Sequence, residues 1–564
     1  MKVVTNLAYV LLVLFGLGIS FTACKNPKEP DPVLGITGIS PATAPIAGTV
    51  TITGTQFNAT PASNTVTFTG NAVAEILTAT TTQLVVRVPA NAQNGAITVK
   101  TGGQSVSSSQ TFSLGTRAVI VKTGDISASE TWTANNIYQI NGFVYVKSGA
   151  TLTIQPGTII KGGGKDVDPS GLQRGGTLII EAGAKIEAKG TATNPIVFTS
   201  NKPAGQRGYG DWGGIVLIGK APINQIESTP FEGGISGKTG SFSDVNDNSG
   251  TLQYVRIEFP GIALLLNSEI NGLTLYGVGA GTTISHIQVS YSGDDSFEWF
   301  GGNVDMRYLI ALRGFDDDWD TDWGYSGRVQ YGVALRDPNV ADQSSSNGFE
   351  SDNFTGNGQA PIPGPNAGLP LTGAVFANMS NFVFSGAIST APTAGGSGAY
   401  QSGMHLRRNT NISIFNSLLF GYPEGLRLDN GTATGTGTAA NIAAGTLQLR
   451  GIVLANTGTA STTAIRGANG ITNATAEAYF NTAAFANRVI PSTEVATLLL
   501  NSANFNLTAP NFLPGAGSPL LTGAIWDGKG ANEFFTKETF RGAFGTTNWT
   551  QGWANFDPQN TNYN

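Results

Sequence analysis

Gly293-Asp294-Asp295-Ser296-Phe297-Glu298-Trp299-Phe300-Gly301-Gly302 is followed, after one alternating strand, by Gly314-Phe315-Asp316-Asp317-Asp318-Trp319-Asp320-Thr321-Asp322-Trp323-Gly324. Asn347-Gly348-Phe349-Glu350-Ser351-Asp352-Asn353 closes the stretch. The first two runs each sit behind a strand of period two, Ile287/Val289/Tyr291 and Tyr308/Ile310/Leu312, at an offset of 21 residues. Tyr331/Val333/Leu335 follows 23 residues further on. Apolar strands that recur at such a period, with no helix between them, predict a stacked solenoid. Each coil has an inward face that only the next coil can cover. In that arrangement Asp294/Asp295 and Asp316/Asp317 are equivalent positions on adjacent coils, about 4.8 Å apart. Carboxylates then pile up along one edge, where like charges repel and unpaired burial is costly. Residues 293–353 carry 13 of the chain's 37 acidic residues but only 4 of its 31 basic ones, a net −9 in a protein whose total is −6.

Outward from this stretch the same pattern continues. Leu152, Ile154, Gly157 and Ile160 align with Leu178, Ile180, Gly183 and Ile186 as two copies of one repeat. Further strands read Gly213 to Gly219, Leu252 to Phe259, Ile412 to Phe420 and Leu447 to Leu454. Seventy-five glycines and a charged fraction of 12% fit many short strands joined by tight turns. At 564 residues the chain exceeds one ordinary core, so at least two units are expected. The acidic balance argues against a nucleic-acid partner, because a phosphate backbone requires a basic face. Residues 472–500 have some helical character, and the aromatic C-terminus at 546–564 is expected to cap the solenoid.

The N-terminus carries an address. Met1-Lys2 precedes an apolar run from Leu7 to Phe21, too short for a membrane span and shaped like a signal peptide, residues 1–23. Phe21-Thr22-Ala23-Cys24 resembles a bacterial lipobox, which implies lipidation at Cys24, the only cysteine. That leaves the mature chain no disulfide and no second thiolate for a metal. Residues 24–32, rich in proline, read as a tether. Residues 33–114 alternate as short strands at sandwich spacing.

Those residues resemble an IPT/TIG immunoglobulin-like domain, through Ile36-Thr37-Gly38-Ile39-Ser40-Pro41 and the core from Gly48 to Phe57. Residues 118–545 resemble right-handed parallel β-helix proteins of the pectin-lyase-like superfold. More narrowly, Gly210 to Pro222 and the three acidic motifs resemble a group of Bacteroidota surface lipoproteins. The fold class is therefore all-β, an Ig-like sandwich followed by a parallel β-helix. The resemblance implies a location at the outer membrane, held by the lipid anchor alone. It leaves chemistry open, because one fold hosts many functions.

Three readings of the acidic edge follow. The first is a Ca²⁺ site built from Asp294, Asp295, Asp316, Asp317, Asp318, Asp320, Asp322, Glu350 and Asp352, since a hard cation takes six to eight oxygen ligands. The second is a glycan groove, with Trp299, Trp319, Trp323 and Tyr325 as stacking platforms and Arg313 and Arg336 as polar contacts. Its catalytic variant is a polysaccharide lyase or glycoside hydrolase, the latter needing two carboxylates of unlike pKa. In the third, Asp and Asn cap turns and the aromatics fill the coil, leaving a structural or adhesive surface protein. The partner is accordingly a polysaccharide, another glycan or an outer-membrane protein. Two histidines, His286 and His405, are too few for an ordinary Zn²⁺ site.

Overall fold

The computed structural model describes residues 33–563 apart from 90, 226–229, 238–240, 266–267, 354–367, 384–398, 432–436 and 459–462. The signal peptide, Cys24 and the tether lie outside the described residues. The chain divides near residue 115 into two compact units.

The first unit holds two four-stranded antiparallel sheets. Alternation decides what it buries. Val50 and Ile52 face Leu84 and Val86 from neighbouring strands, and all four are buried while the threonines between them are more exposed. This is the Ig-like sandwich read from the sequence.

The second unit contains a ladder of 26 strands, each paired in parallel with its counterpart one coil away. On five coils, two faces come from one bent strand. Gly250–Glu258, Thr283–Ser290, Met306–Leu312, Arg328–Leu335 and Val375–Phe382 bend at Tyr254, His286, Tyr308, Tyr331 and Asn378. Each of those residues has a left-handed backbone, with φ between 51° and 66°. Such a conformation costs a non-glycine residue about 1–3 kcal/mol. The first four offset it by stacking, with ring centroids 4.2, 4.4 and 4.9 Å apart in succession. His286 is thus a member of a corner stack.

The third face carries Leu273–Tyr276, Phe297–Phe300, Trp319–Asp322, Phe349–Ser351, Met404–Leu406 and Leu426–Asp429. Side chains alternate across it. Phe297, Trp299, Trp319 and Phe349 fill the coil interior, while Glu298, Asp320 and Glu350 point outward.

The register differs from the sequence alignment in two places. Ile287 pairs with Leu309, an offset of 22, so Ile310 and Leu312 face outward and Leu309 and Ala311 face in. A one-residue slip exchanges the two faces. The sequence misleads here because this strand is apolar on both sides. The two alignable repeat copies also lie on different faces, since Leu152 pairs with Ile186 and Leu178 with Val144.

The outer face of that strand is covered by the C-terminal segment, which corrects the expected cap at 546–564. Trp553 packs on Tyr254 and His286, Trp549 packs on Tyr308, and Tyr563 reaches Ile137, Ile159 and Val197 on early coils. The segment runs back along the flank as a strap. The C-terminal end of the interior is closed instead by the helix Asn473–Phe480, whose Ala476 and Phe480 are buried with Ile465 and Leu449. Thr472 caps that helix by accepting from Thr475 N at 3.1 Å.

Trp553 is 1% exposed. Trp553→Ala is expected to cost about 3–5 kcal/mol through the cavity it leaves beside the corner stack. A denaturant midpoint unchanged from the parent protein would show that the strap does not stabilise the coil.

Candidate functional site

Glu298, Asp320 and Glu350 occupy one outward register on three consecutive coils, since Glu298 pairs with Asp320 and Asp320 with Glu350. The turn before each strand adds a second row. Asp295 Oδ1 accepts from Asp317 N at 2.8 Å, which ties the equivalent positions of adjacent coils together. Asp317 Oδ1 in turn accepts from Asn347 N. Two insertions wall the site. One comprises the 3-10 turn Glu232–Gly234 and the antiparallel pair Ala263–Leu265 and Ser268–Glu269, which bring Glu232 and Glu269. The other spans 342–344 and brings Asp342 and Ser344, whose Oγ donates to Asp316 Oδ2 at 2.7 Å.

Together these groups surround a cavity of about 550 Å³. Among the described residues, ten carboxylates line it, from Glu232, Glu269, Asp294, Asp295, Glu298, Asp316, Asp317, Asp320, Asp342 and Glu350, against one cation, Arg407. Two charged carboxylates one coil apart repel by about 3.5 kcal/mol at an effective dielectric of about 20. Arg407 cannot offset such a row. Protons take up part of it. Burial, reinforced by neighbouring carboxylates, pushes Asp294, Asp295, Glu298, Asp317 and Asp320 well above the ordinary carboxylate range. Burial raises Asp316 to about 7, with Asp342 adding to it, and Glu232 to about 7, with Glu269 adding to it.

Glu350 is the exception. Burial opposes its charge, but Arg407 and His405 outweigh it and hold the group at about 2. Arg407 pairs with Glu350 and, at 2.9 Å, with Asp352, which also receives Arg408 at 2.6 Å. His405 follows Glu350 in the ladder and lies between Glu350, at 3.7 Å, and Asp429, at 3.4 Å. Burial lowers its pKa, but these two carboxylates reverse the effect and raise it. His405 therefore ends the acidic row with a carboxylate on either side.

Six of the nine acids expected to ligate a metal line the cavity: Asp294, Asp295, Asp316, Asp317, Asp320 and Glu350. Three do not. Asp318 is fully buried in an ion pair with Arg336 at 3.2 Å. Asp352 is held by the two arginines, and Asp322 Oδ1 accepts from Trp323 N at 2.6 Å. The glycan platforms are corrected outright. Trp299, Trp319 and Tyr325 are fully buried in the coil, and Trp323 is packed with Tyr276 and Phe300. Buried rings offer no face to a sugar. Arg336 is sealed with Asp318, and Arg313 is engaged by Asp337 over Tyr291, so neither lines the cavity.

Four further acids belong to the site. Glu298 was legible in principle, because it alternates with the interior Phe297 and Trp299 in the same motif. Glu232, Glu269 and Asp342 arrive on insertions, and no periodicity marks where an insertion folds back.

Residues 124–497 match the family model of a pectate-lyase-like β-helix domain. The chain belongs to this family. An IPT/TIG domain model matches residues 34–114. A TIG domain followed by a pectate-lyase-like β-helix fits a surface glycan-binding or adhesive protein. No curated protein matches the chain. Among solved structures, a protein of unknown function from Bacteroides thetaiotaomicron is 17% identical over 16% of this chain and 26% of its own, with a TM-score of 0.15. An auxiliary nutrient binding protein from the same organism is 20% identical over 15% of this chain and 22% of its own, with a TM-score of 0.14. The chain thus spans about a quarter of the length of these solved relatives.

Carboxylates with raised pKa keep protons in the folded protein that the unfolded chain releases at about pH 4. The native state therefore binds more protons than the unfolded state between about pH 4 and pH 7, and stability falls as pH rises through that window. In EDTA, the melting temperature is expected to be higher near pH 5 than near pH 8. The opposite order would show that the row is already compensated without a metal.

Proposed function

We propose that this β-helix is a Ca²⁺-dependent binding module, tethered to the outer membrane through Cys24, that takes an anionic polysaccharide or a carboxylate-bearing partner protein. The observation that carries the reading is the cavity itself, which among the described residues sets ten carboxylates against one arginine. Its donor set is all oxygen, the chemistry of a hard cation. Asp316 Oδ1 and Asp320 Oδ1 are buried and, among the described residues, no hydrogen bond reaches them. Oxygens left in that state cost free energy unless a cation or a proton satisfies them. With the aromatic rings buried inside the coil, a ligand gains its hold from the cations. Their open coordination positions favour ligands that bring oxyanions. The tether at 24–32 and the sandwich at 33–114 serve as spacers. Among the described residues, no helix is long and apolar enough to cross a membrane.

A glycoside hydrolase is the second reading, because of one pair. Asp320 and Glu350 sit on adjacent coils with oxygens within 4.8 Å of each other. Arg407 pulls the Glu350 pKa down to about 2, while burial, with Glu350 and Asp352 adding to it, pushes that of Asp320 up. Unlike pKa values in neighbouring carboxylates are what an acid and a nucleophile require. A lyase is less well served. Among the described residues, Arg407 is the basic group at the cavity, and its two carboxylate partners strengthen its hold on the proton.

Ca²⁺ at about 100 times its dissociation constant is expected to stabilise the fold by about 2.7 kcal/mol, since it binds only the native state. Melts in Ca²⁺ and in EDTA measure this, and coincident transitions would refute the cation. With Ca²⁺ present, polyuronates are expected to bind and neutral glucans not to bind in an affinity gel. Sugar release that persists in EDTA and is lost in Asp320→Asn would favour the hydrolase instead.

A further inference from the structure

We infer that Phe315 is the platform on which the cavity seats a sugar ring, so that the ligand is a polysaccharide; this rests on the Ca²⁺-dependent binding reading above. Among the described residues, Phe315 is the one aromatic side chain that lines the cavity. It is half-buried, whereas Phe297, Phe300 and Phe349, the other phenylalanines of the acidic stretch, are buried. The cause is local. Phe315 sits in the turn between Met306–Leu312 and Trp319–Asp322, so the alternation that sends Trp319 into the coil does not reach it. Tyr209 packs edge-on against the ring, with centroids 5.8 Å apart at 60°. A ring left beside water and carboxylates costs free energy unless something apolar covers it. A sugar suits both neighbours, since its C–H face lies on an aromatic surface while its hydroxyls donate to carboxylates. Asp316 and Ser344, joined by a hydrogen bond of 2.7 Å, line the same cavity.

The turn is built as a rigid support. Phe315 N donates to Ser292 O at 2.9 Å, and Phe315 O accepts from Ser346 Oγ at 2.9 Å. Arg336 braces it from inside the protein. Its Nη2 donates to Gly314 O at 3.2 Å and to Phe315 O at 3.4 Å, and its Nη1 donates to Asn347 O at 3.0 Å. Asn347 N in turn donates to Asp317 Oδ1. One guanidinium thus joins the turn that carries Phe315 to the turn that follows the insertion at 342–344. The side chains of Arg336 and its partner Asp318 are both 0% exposed. A buried ion pair is a weak source of stability, because desolvation offsets the attraction. Fixing direction accounts for it better, since the planar fork of arginine sets geometry as an ammonium group does not. Arg336 is therefore a positioning residue, and Phe315 is the residue that touches the ligand. A ring held in place beforehand loses little freedom when the ligand arrives.

Affinity electrophoresis of the full chain in Ca²⁺, through gels holding polygalacturonate or polyglutamate, tests this. Both polymers carry carboxylates, and only the first has rings. The parent protein is expected to be retarded more strongly by polygalacturonate. Phe315→Ala is expected to weaken that retardation about ten-fold, with Phe315→Tyr restoring it and polyglutamate unaffected by either. Polygalacturonate retardation unchanged in Phe315→Ala would overturn the platform. An equal fall on both polymers would overturn it too, because the turn would then serve the carboxylate contact and not a ring. A parent protein retarded by polyglutamate alone would overturn the sugar and leave the Ca²⁺ reading standing, while retardation by neither would overturn both. Arg336→Lys keeps the charge against Asp318 and loses the fork, and is expected to weaken polygalacturonate retardation alone. A folded Arg336→Lys with unchanged retardation, or one that fails to fold, would overturn its positioning role.

Discussion

The parallel ladder holds like charges in register, and most of the second unit follows from that. Glu298, Asp320 and Glu350 cannot move apart, because the strands that carry them are hydrogen-bonded to one another. The same strands are pinned from inside by Phe297, Trp299, Trp319 and Phe349, so turning an acid away would expose an aromatic ring. The interior therefore fixes the exterior. Strands in an open sheet could splay to relieve repulsion; coils of a solenoid share every neighbour and cannot.

The acidic row is confined at both ends. Below it, Arg407 and Arg408 supply the first positive charges, and they compensate Glu350 and Asp352 while leaving the acids further along uncompensated. The row thus has one permanently charged member next to several that hold protons or take a cation. Above it, the insertion carrying Glu232 and Glu269 adds acids to a place already crowded with them. A purely structural turn would bring lysine or arginine there. Elsewhere the chain does so readily: Asp211 meets Lys202 at 2.6 Å and Asp305 meets Arg328 at 2.5 Å. The cavity is the place where that habit is suspended.

Much of this was legible before any coordinates. Alternation and spacing identified the sandwich, the solenoid and the stacking of Asp295 with Asp317, because period-two patterns report burial directly. The failures have physical causes. A strand apolar on both faces carries no register signal, and the strap from 546 onward makes the strand around Ile310 and Leu312 such a case. Tryptophans beside aspartates read as a binding face, yet in a strand adjacent residues point to opposite sides, which sends Trp319 inward and Asp320 outward. Asp318 looked like its neighbours and is instead paired with Arg336 inside the protein. Glu232 and Asp342 were invisible, since insertion loops follow no period.

The most direct test of a cation-bearing row is a crystal structure grown in Ca²⁺. Density bonded to the free oxygens of Asp295, Asp317 and Asp320 is expected, with Glu350 still held by Arg407. Carboxylates hydrogen-bonded to one another in protonated pairs, with water alone in the cavity, would contradict it.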